Sequence, residues 1–198
     1  MDIKRLIMVA VGGQGNLLAS KVLGEAALIC KVPVRMSEIH GMAQRGGVVE
    51  SAIVFGDASS PIISDGEADL LLGFEPSETL RALNRCNKDT TVITNLAPLP
   101  PFTVAIGKGV YPEMDTIQAL IKERTGSLIA FDAMELAKKA GSPMSVNIVL
   151  LGALIQTEIL PLTRESIEQA IKTRTKQAFV DMNLAAFNLG FEAAANVA

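Results

Sequence analysis

Three observations in the sequence predict a three-layer α/β/α domain, with helices on both faces of a mainly parallel, partly mixed sheet and a helical C-terminal segment. Residues 6–11 are an unbroken apolar run, the mark of a strand buried on both faces. A glycine turn, Gly12-Gly13-Gln14-Gly15, follows at once and leads into the Leu/Ala-rich residues 16–26, a helix folded back onto the sheet. Short apolar runs then alternate with helical stretches as far as Gly141, after which the pattern is helical throughout. We therefore expect one domain over residues 1–198, with an α/β core at 1–141 and a helical part at 142–198.

The opening unit resembles a Rossmann-like nucleotide turn, in the register Ala10-Val-Gly-Gly-Gln-Gly15, with Ala10 where the fingerprint has its first glycine. Gly12, Gly13 and Gly15 let the backbone turn sharply and bare the amides of a helix N-terminus, which favour an anion. A packing turn without a ligand, a bound dinucleotide, and contact with a phosphate, a partner chain or a partner's cofactor all remain open at this point. The acidic residue that a dinucleotide would require about 20 positions on could only be Glu38.

Residues 31–36 read as a second strand, with Pro33 at an edge or an irregular start. The segment 37–47 that follows reads as a polar, glycine-rich loop. It holds Glu38, the single histidine His40, Gly41, Gln44, Arg45, Gly46 and Gly47. Such a loop is a mobile connector or a site, and four different polar chemistries in so short a span favour a site. Arg45 before two glycines puts a planar guanidinium on backbone able to approach a carboxylate or phosphate closely. One His and one Glu leave no third metal ligand in view.

Residues 48–55 read as a strand with Val49, Ser51, Ile53 and Phe55 on one side. Its short link to the strand before it demands antiparallel pairing. A strand at 68–74 leads into a helix at 75–83 with Pro76 in its first turn. Glu75 and Ser64 are second-rank site candidates near that junction, with surface capping the simpler role for each. Further strands are expected at 90–94 and 127–131, helices at 114–122 and 133–140, and either a short strand or an extended loop at 104–110. Ser142-Pro143 opens a helix at 144–155 with almost no polar face, to be buried against the sheet or another chain. Asn147 on it either bonds within the core or faces a partner. Helices at 163–174 and 176–189 end the pattern, and Phe179, Met182, Ala186 and Leu189 line up on one face of the second.

Composition narrows the function. With 49% hydrophobic residues but only seven Phe, one Tyr and no Trp, the core is aliphatic. A net charge of -3 without a basic run argues against nucleic acid. The most apolar late stretch, 148–155, is too short to cross a bilayer, and residues 1–6 carry no export signal, so a cytoplasmic protein without a membrane anchor is expected. Two cysteines, Cys30 and Cys86, fall short of the four ligands that an iron-sulfur cluster or structural zinc usually needs, and buried inert thiols are the simpler reading.

The glycine turn, residues 37–47, residues 66–76 and residues 142–152 together resemble the gamma-type subunits of 2-oxoacid:ferredoxin oxidoreductases, in particular the indolepyruvate branch of that group. The resemblance covers nearly the whole chain, and its most specific part is the run His40-Gly-Met-Ala-Gln-Arg-Gly-Gly47. It implies a companion to a large subunit that carries thiamine diphosphate and 4Fe-4S clusters, decarboxylates an aryl 2-oxoacid and delivers electrons to ferredoxin, with coenzyme A as acyl acceptor. This chain would bind no cofactor alone, and Glu38, His40, Gln44 and Arg45 would lie at the subunit interface near where substrate or coenzyme A enters. The competing classes are a self-sufficient NAD(P)- or FAD-dependent oxidoreductase and a structural module without a site.

Overall fold

The computed structural model describes residues 2–41, 47–100, 104 and 106–197. Its centre is a sheet of six strands in the order β2-β3-β1-β4-β5-β6. These are β1 (Lys4–Val11), β2 (Val34–His40), β3 (Val48–Phe55), β4 (Leu70–Gly73), β5 (Thr91–Asn95) and β6 (Ser127–Phe131). The pairs β1/β4, β4/β5 and β5/β6 are parallel, whereas β3 runs antiparallel to both β1 and β2. The expected mixed sheet is present.

Among the described residues seven helices cover it: α1 (Asn16–Ile29), α2 (Pro76–Arg81), α3 (Met114–Arg124), α4 (Ala133–Ala140), α5 (Val146–Gln156), α6 (Arg164–Arg174) and α7 (Val180–Val197). Side-chain alternation sorts them into two layers. Leu6, Met8 and Ala10 of β1 join Ile53, Leu72 and Ile93 under α1, α4, α5, α6 and α7. The intervening Ile7 and Val9 join Val54, Leu71 and Val92 under α2 and α3, where Ile117 and Ile121 are fully buried. Because α1 leaves β1 toward one face and α2 leaves the adjacent parallel β4 toward the other, the sheet has a switch point between β1 and β4, where open α/β sheets form a crevice.

Several ends obey local rules. The Glu75 side chain caps α2 ahead of Pro76, Asp132 caps α4, and Gly141 closes α4 at φ 119°. Thr163 and Ser166 form a reciprocal capping box at α6. The Ser142 hydroxyl accepts from the Met144 amide and starts a 3₁₀ turn, Pro143–Ser145, that leads into α5.

Two expectations need correction, and one open choice is resolved. The polar segment expected as a loop from residue 37 is strand as far as His40, because β3 offers a continuous partner: Glu38 stands opposite Ser51 and His40 opposite Val49. Of the strand and the extended loop left open for 104–110, residues 106–109 take the second course and form turns. The apolar stripe on the last helix is displaced, since Phe179 belongs to a 3₁₀ turn and is 49% exposed, and the buried face is Val180, Asn183, Ala186, Phe187, Gly190 and Ala194. Counting large apolar side chains misses that face because it is built on glycine. A Cβ on Gly190 would stand 1.8 Å from the Val149 carbonyl oxygen, and one on Gly152 would stand 2.0 Å from that of Phe187. α5 and α7 thus cross backbone to backbone, and α5 has ten of its residues buried from Val146 to Ile155.

Candidate functional site

The glycine turn lies at the carboxyl end of β1, on the switch point. Gln14 holds it from within: its Oε1 accepts from the Val11 amide at 2.8 Å, and its Nε2 donates across the crevice to the Phe74 carbonyl beyond β4 at 3.2 Å. Gly15 adopts φ 82° as the N-cap of α1, and no side chain caps that helix. A Cβ there would meet Asn147 Nδ2 at 2.6 Å, the same atom that donates to the Gly15 carbonyl at 3.2 Å. Asn147 therefore bonds within the core, locking the first turn of α5 onto the glycine turn. Gly13, at φ 104°, faces open space.

The loop candidates meet this turn. The Gly12 amide donates to the Gly47 carbonyl and the Gly41 amide to the Val48 carbonyl, each at 2.8 Å, so both ends of segment 42–46 are pinned beside the glycines. Gln44, Arg45 and Gly46 lie outside the described residues. Glu38 is half-buried and accepts from the Ser51 hydroxyl at 3.1 Å. Ser51 in turn accepts from Asn16 Nδ2 at 2.6 Å and from the Ser20 hydroxyl at 3.3 Å. A buried polar chain thus runs from the start of α1 through β3 to a carboxylate on edge strand β2, and no sequence pattern singled out Asn16, Ser20 or Ser51 for it. His40 is exposed. Ile39 (63% exposed) and Leu17 (47%) add apolar surface on β2 and α1.

The geometry does not fit the dinucleotide reading. β3 separates β2 from β1, so at about 4.8 Å per strand the backbone of Glu38 stands roughly 10 Å from the strand that carries the glycines, and its carboxylate is taken up by Ser51 on the strand between. A cavity of about 250 Å³ does open between the turn and the ends of β5, α4 and α5, lined by Gly13, Gln14, Asn95, Leu99, Met134 and Met144 among others. Among the described residues none that lines it is charged. The Asn95 amide is consumed inside the fold, donating to the Phe74 carbonyl at 3.1 Å and accepting from the Ala133 amide at 3.0 Å.

Glu75 is fully buried, not a surface cap. One oxygen accepts from the Ser77 amide (2.7 Å), the Ser77 hydroxyl (2.9 Å) and the Glu78 amide (3.0 Å). The other accepts from the Leu99 amide at 3.2 Å and the Tyr111 hydroxyl at 2.5 Å. Burial, then the bond to Glu75 and its charge, push ionisation of Tyr111 well above the usual tyrosine range. Glu78 beside it is also raised, chiefly by burial and further by Glu75, against the opposing pull of Arg81. A carboxyl raised on folding binds protons more tightly in the native state, so its effect on stability is most favourable at low pH and worsens as pH rises through the raised value. Glu78→Gln, which can still accept from Arg81, is expected to raise the melting temperature at pH 7 more than at pH 4; an equal effect at both would contradict this. Ser64 is exposed and precedes β4, at the opposite end of the sheet from the crevice.

Burial pushes the Cys86 thiol up to about 11, leaving it protonated and unreactive near neutrality. Cys30, half-buried, ends α1. Among the described residues no three His, Cys, Asp or Glu side chains are grouped to hold a metal, and no helix is long and apolar enough to cross a membrane.

These features define an open α/β domain whose glycine turn lies at a switch point and is tied through Gly12 to Gly47. Residues 5–193 match the model of the pyruvate ferredoxin/flavodoxin oxidoreductase family, and the chain belongs to that family. It is 45% identical over 185 residues to the indolepyruvate oxidoreductase subunit IorB of Methanothermobacter thermautotrophicus, covering 93% of this chain and 94% of that one. It is 41% identical over 191 residues to IorB of Pyrococcus horikoshii, covering 96% and 95%. The gamma subunit of a keto/oxoacid ferredoxin oxidoreductase from Geobacter sulfurreducens shares the fold, with a TM-score of 0.72 at 23% identity over 98% of this chain and 99% of that one. The 2-oxoglutarate:ferredoxin oxidoreductase of Magnetococcus marinus contains the same fold within a longer chain, with a TM-score of 0.74 at 16% identity, covering all of this chain and 32% of that one. The chain is thus a small subunit of an oxidoreductase of the 2-oxoacid:ferredoxin class.

Proposed function

We propose that this subunit completes the interface of a large subunit that carries thiamine diphosphate and 4Fe-4S clusters, oxidises indolepyruvate or a related aryl 2-oxoacid to an acyl-coenzyme A, and passes electrons to ferredoxin. The observation that carries this reading is the bond from the Gly12 amide to the Gly47 carbonyl, which fastens the polar segment to the glycine turn at the carboxyl ends of the strands. Identity to indolepyruvate oxidoreductase subunits across nearly the whole of both chains supports the substrate class. The large subunit's cofactors supply the decarboxylation and electron transfer, and this chain supplies position and charge. Arg45 binds an anionic group of a substrate or a carboxylate of the partner through its five-donor fork. Gly41, Gly46 and Gly47 let the backbone approach, while Gln44, Glu38 and His40 present polar groups at the same interface. Gly12, Gly13, Gln14 and Gly15 contact the partner or an anion through the backbone.

Reconstitution tests this directly. Mixing the chain with the purified large subunit should produce aryl-oxoacid-dependent and coenzyme A-dependent reduction of ferredoxin that neither chain shows alone. In the same assay Arg45→Lys should lower turnover or complex yield about tenfold, since a point charge replaces a bidentate fork. Turnover by the small chain unaided, or an Arg45→Lys subunit as competent as the wild type, would refute the assignment.

A further inference from the structure

The strap that joins β5 to α3 bonds to one carboxylate near each of its ends, at Leu99 and at Tyr111. The Leu99 amide and the Tyr111 hydroxyl, twelve positions apart in sequence, both donate to the same Glu75 oxygen, at 3.2 and 2.5 Å. The other Glu75 oxygen is taken up entirely by the start of α2. Leu99 is at the same time a wall of the crevice cavity beside Gly13 and Gln14, whereas Tyr111 lines a separate hollow with Ser77 and Arg81. Among the described residues between the two points, the apolar Ile106 (46%) and Val110 (93%) are exposed to water.

We infer that Glu75 is a positioning residue: it clasps both ends of this strap to the switch point and thereby fixes the wall of the cavity that the glycine turn opens into. This rests on the reading above only in taking that face toward the reaction. A carboxylate with no exposed surface and five donors is an unusually firm anchor, since hydrogen bonds to a charged acceptor are about twice as strong as neutral ones. Tyr111 is the separable half of the clasp, because its hydroxyl can be removed without touching the three contacts that cap α2.

Tyr111→Phe should speed hydrogen exchange at the Leu99 amide and at residues 106–110 at least tenfold in the free subunit, with the Ser77 and Glu78 amides unchanged. In the assembled enzyme it should raise the KM for the oxoacid or for coenzyme A at least threefold, with kcat within twofold and complex yield intact. Glu75→Gln adds a spectroscopic reading, because Tyr111 is the only tyrosine and the chain has no tryptophan: loss of the quenching carboxylate should increase tyrosine emission. Unchanged exchange in Tyr111→Phe, or unchanged emission in Glu75→Gln, overturns the clasp. Faster exchange with both KM values unchanged overturns the positioning role. Failure of the wild-type mixture to turn over would strike the functional reading instead, leaving the exchange result to judge the clasp.

Discussion

Gly190→Val is expected to lower the melting temperature of the free subunit by roughly 6–12 °C, the equivalent of about 3 kcal/mol in a chain of this size. The new Cβ would stand 1.8 Å from the Val149 carbonyl oxygen and 2.6 Å from its carbon, and both atoms are helix backbone that no rotamer change can move. α5 and α7 would have to separate, and α5 is buried on every side, so each bit of separation opens space against the sheet. Overpacking of well-filled cores costs about 1–3 kcal/mol, and the absence of a yielding side chain puts this site at the upper end. Ala195→Val on the exposed side of the same helix is the control, expected to cost only the few tenths of a kcal/mol of helix propensity. Equal losses in the two variants, by thermal melts followed by circular dichroism, would show that the crossing is not what the glycine serves.

The second large effect falls on assembly. Gly15→Val forces a β-branched residue to φ 82° and drives its Cβ to 2.6 Å from Asn147 Nδ2. The left-handed backbone alone costs about 1–2 kcal/mol for an ordinary residue. Relief would come from swinging Asn147 away, which also releases the Gly15 carbonyl and loosens the start of α5 from the turn. We expect complex formation with the large subunit and turnover both to fall at least tenfold, beyond any loss of stability. Asn147→Ala, which clears the clash but leaves the strain, should restore part of the loss in the double variant. Undiminished assembly and turnover in Gly15→Val would reduce the glycine turn to a matter of packing.

Much of this was legible because the signals were local and periodic. The six apolar residues before Gly12, Pro76 after a capping Glu75 and Gly141 at the end of α4 each act through near neighbours in sequence. The antiparallel place of β3 followed from the shortness of its connection. What escaped depends on residues far apart. Glu38 and His40 became strand because β3 was there to pair with them, which their own polar character does not announce. The buried chain Asn16–Ser51–Glu38 joins three elements through ordinary polar residues. The face of α7 was misplaced because close helix crossings are written in missing side chains. Glu75 stands out in the sequence for its place between a strand's carboxyl end and a helix, but its second oxygen acts on Leu99 and Tyr111, 24 and 36 residues away.

The crossing of α5 and α7 also bears on how the molecule is made. α7 follows every strand in chain order, yet it is the lid of the layer that covers Leu6, Ile53 and Ile93. During synthesis the side of α5 that faces away from the sheet therefore stays uncovered until α7 leaves the ribosome, a window in which aggregation competes with closure.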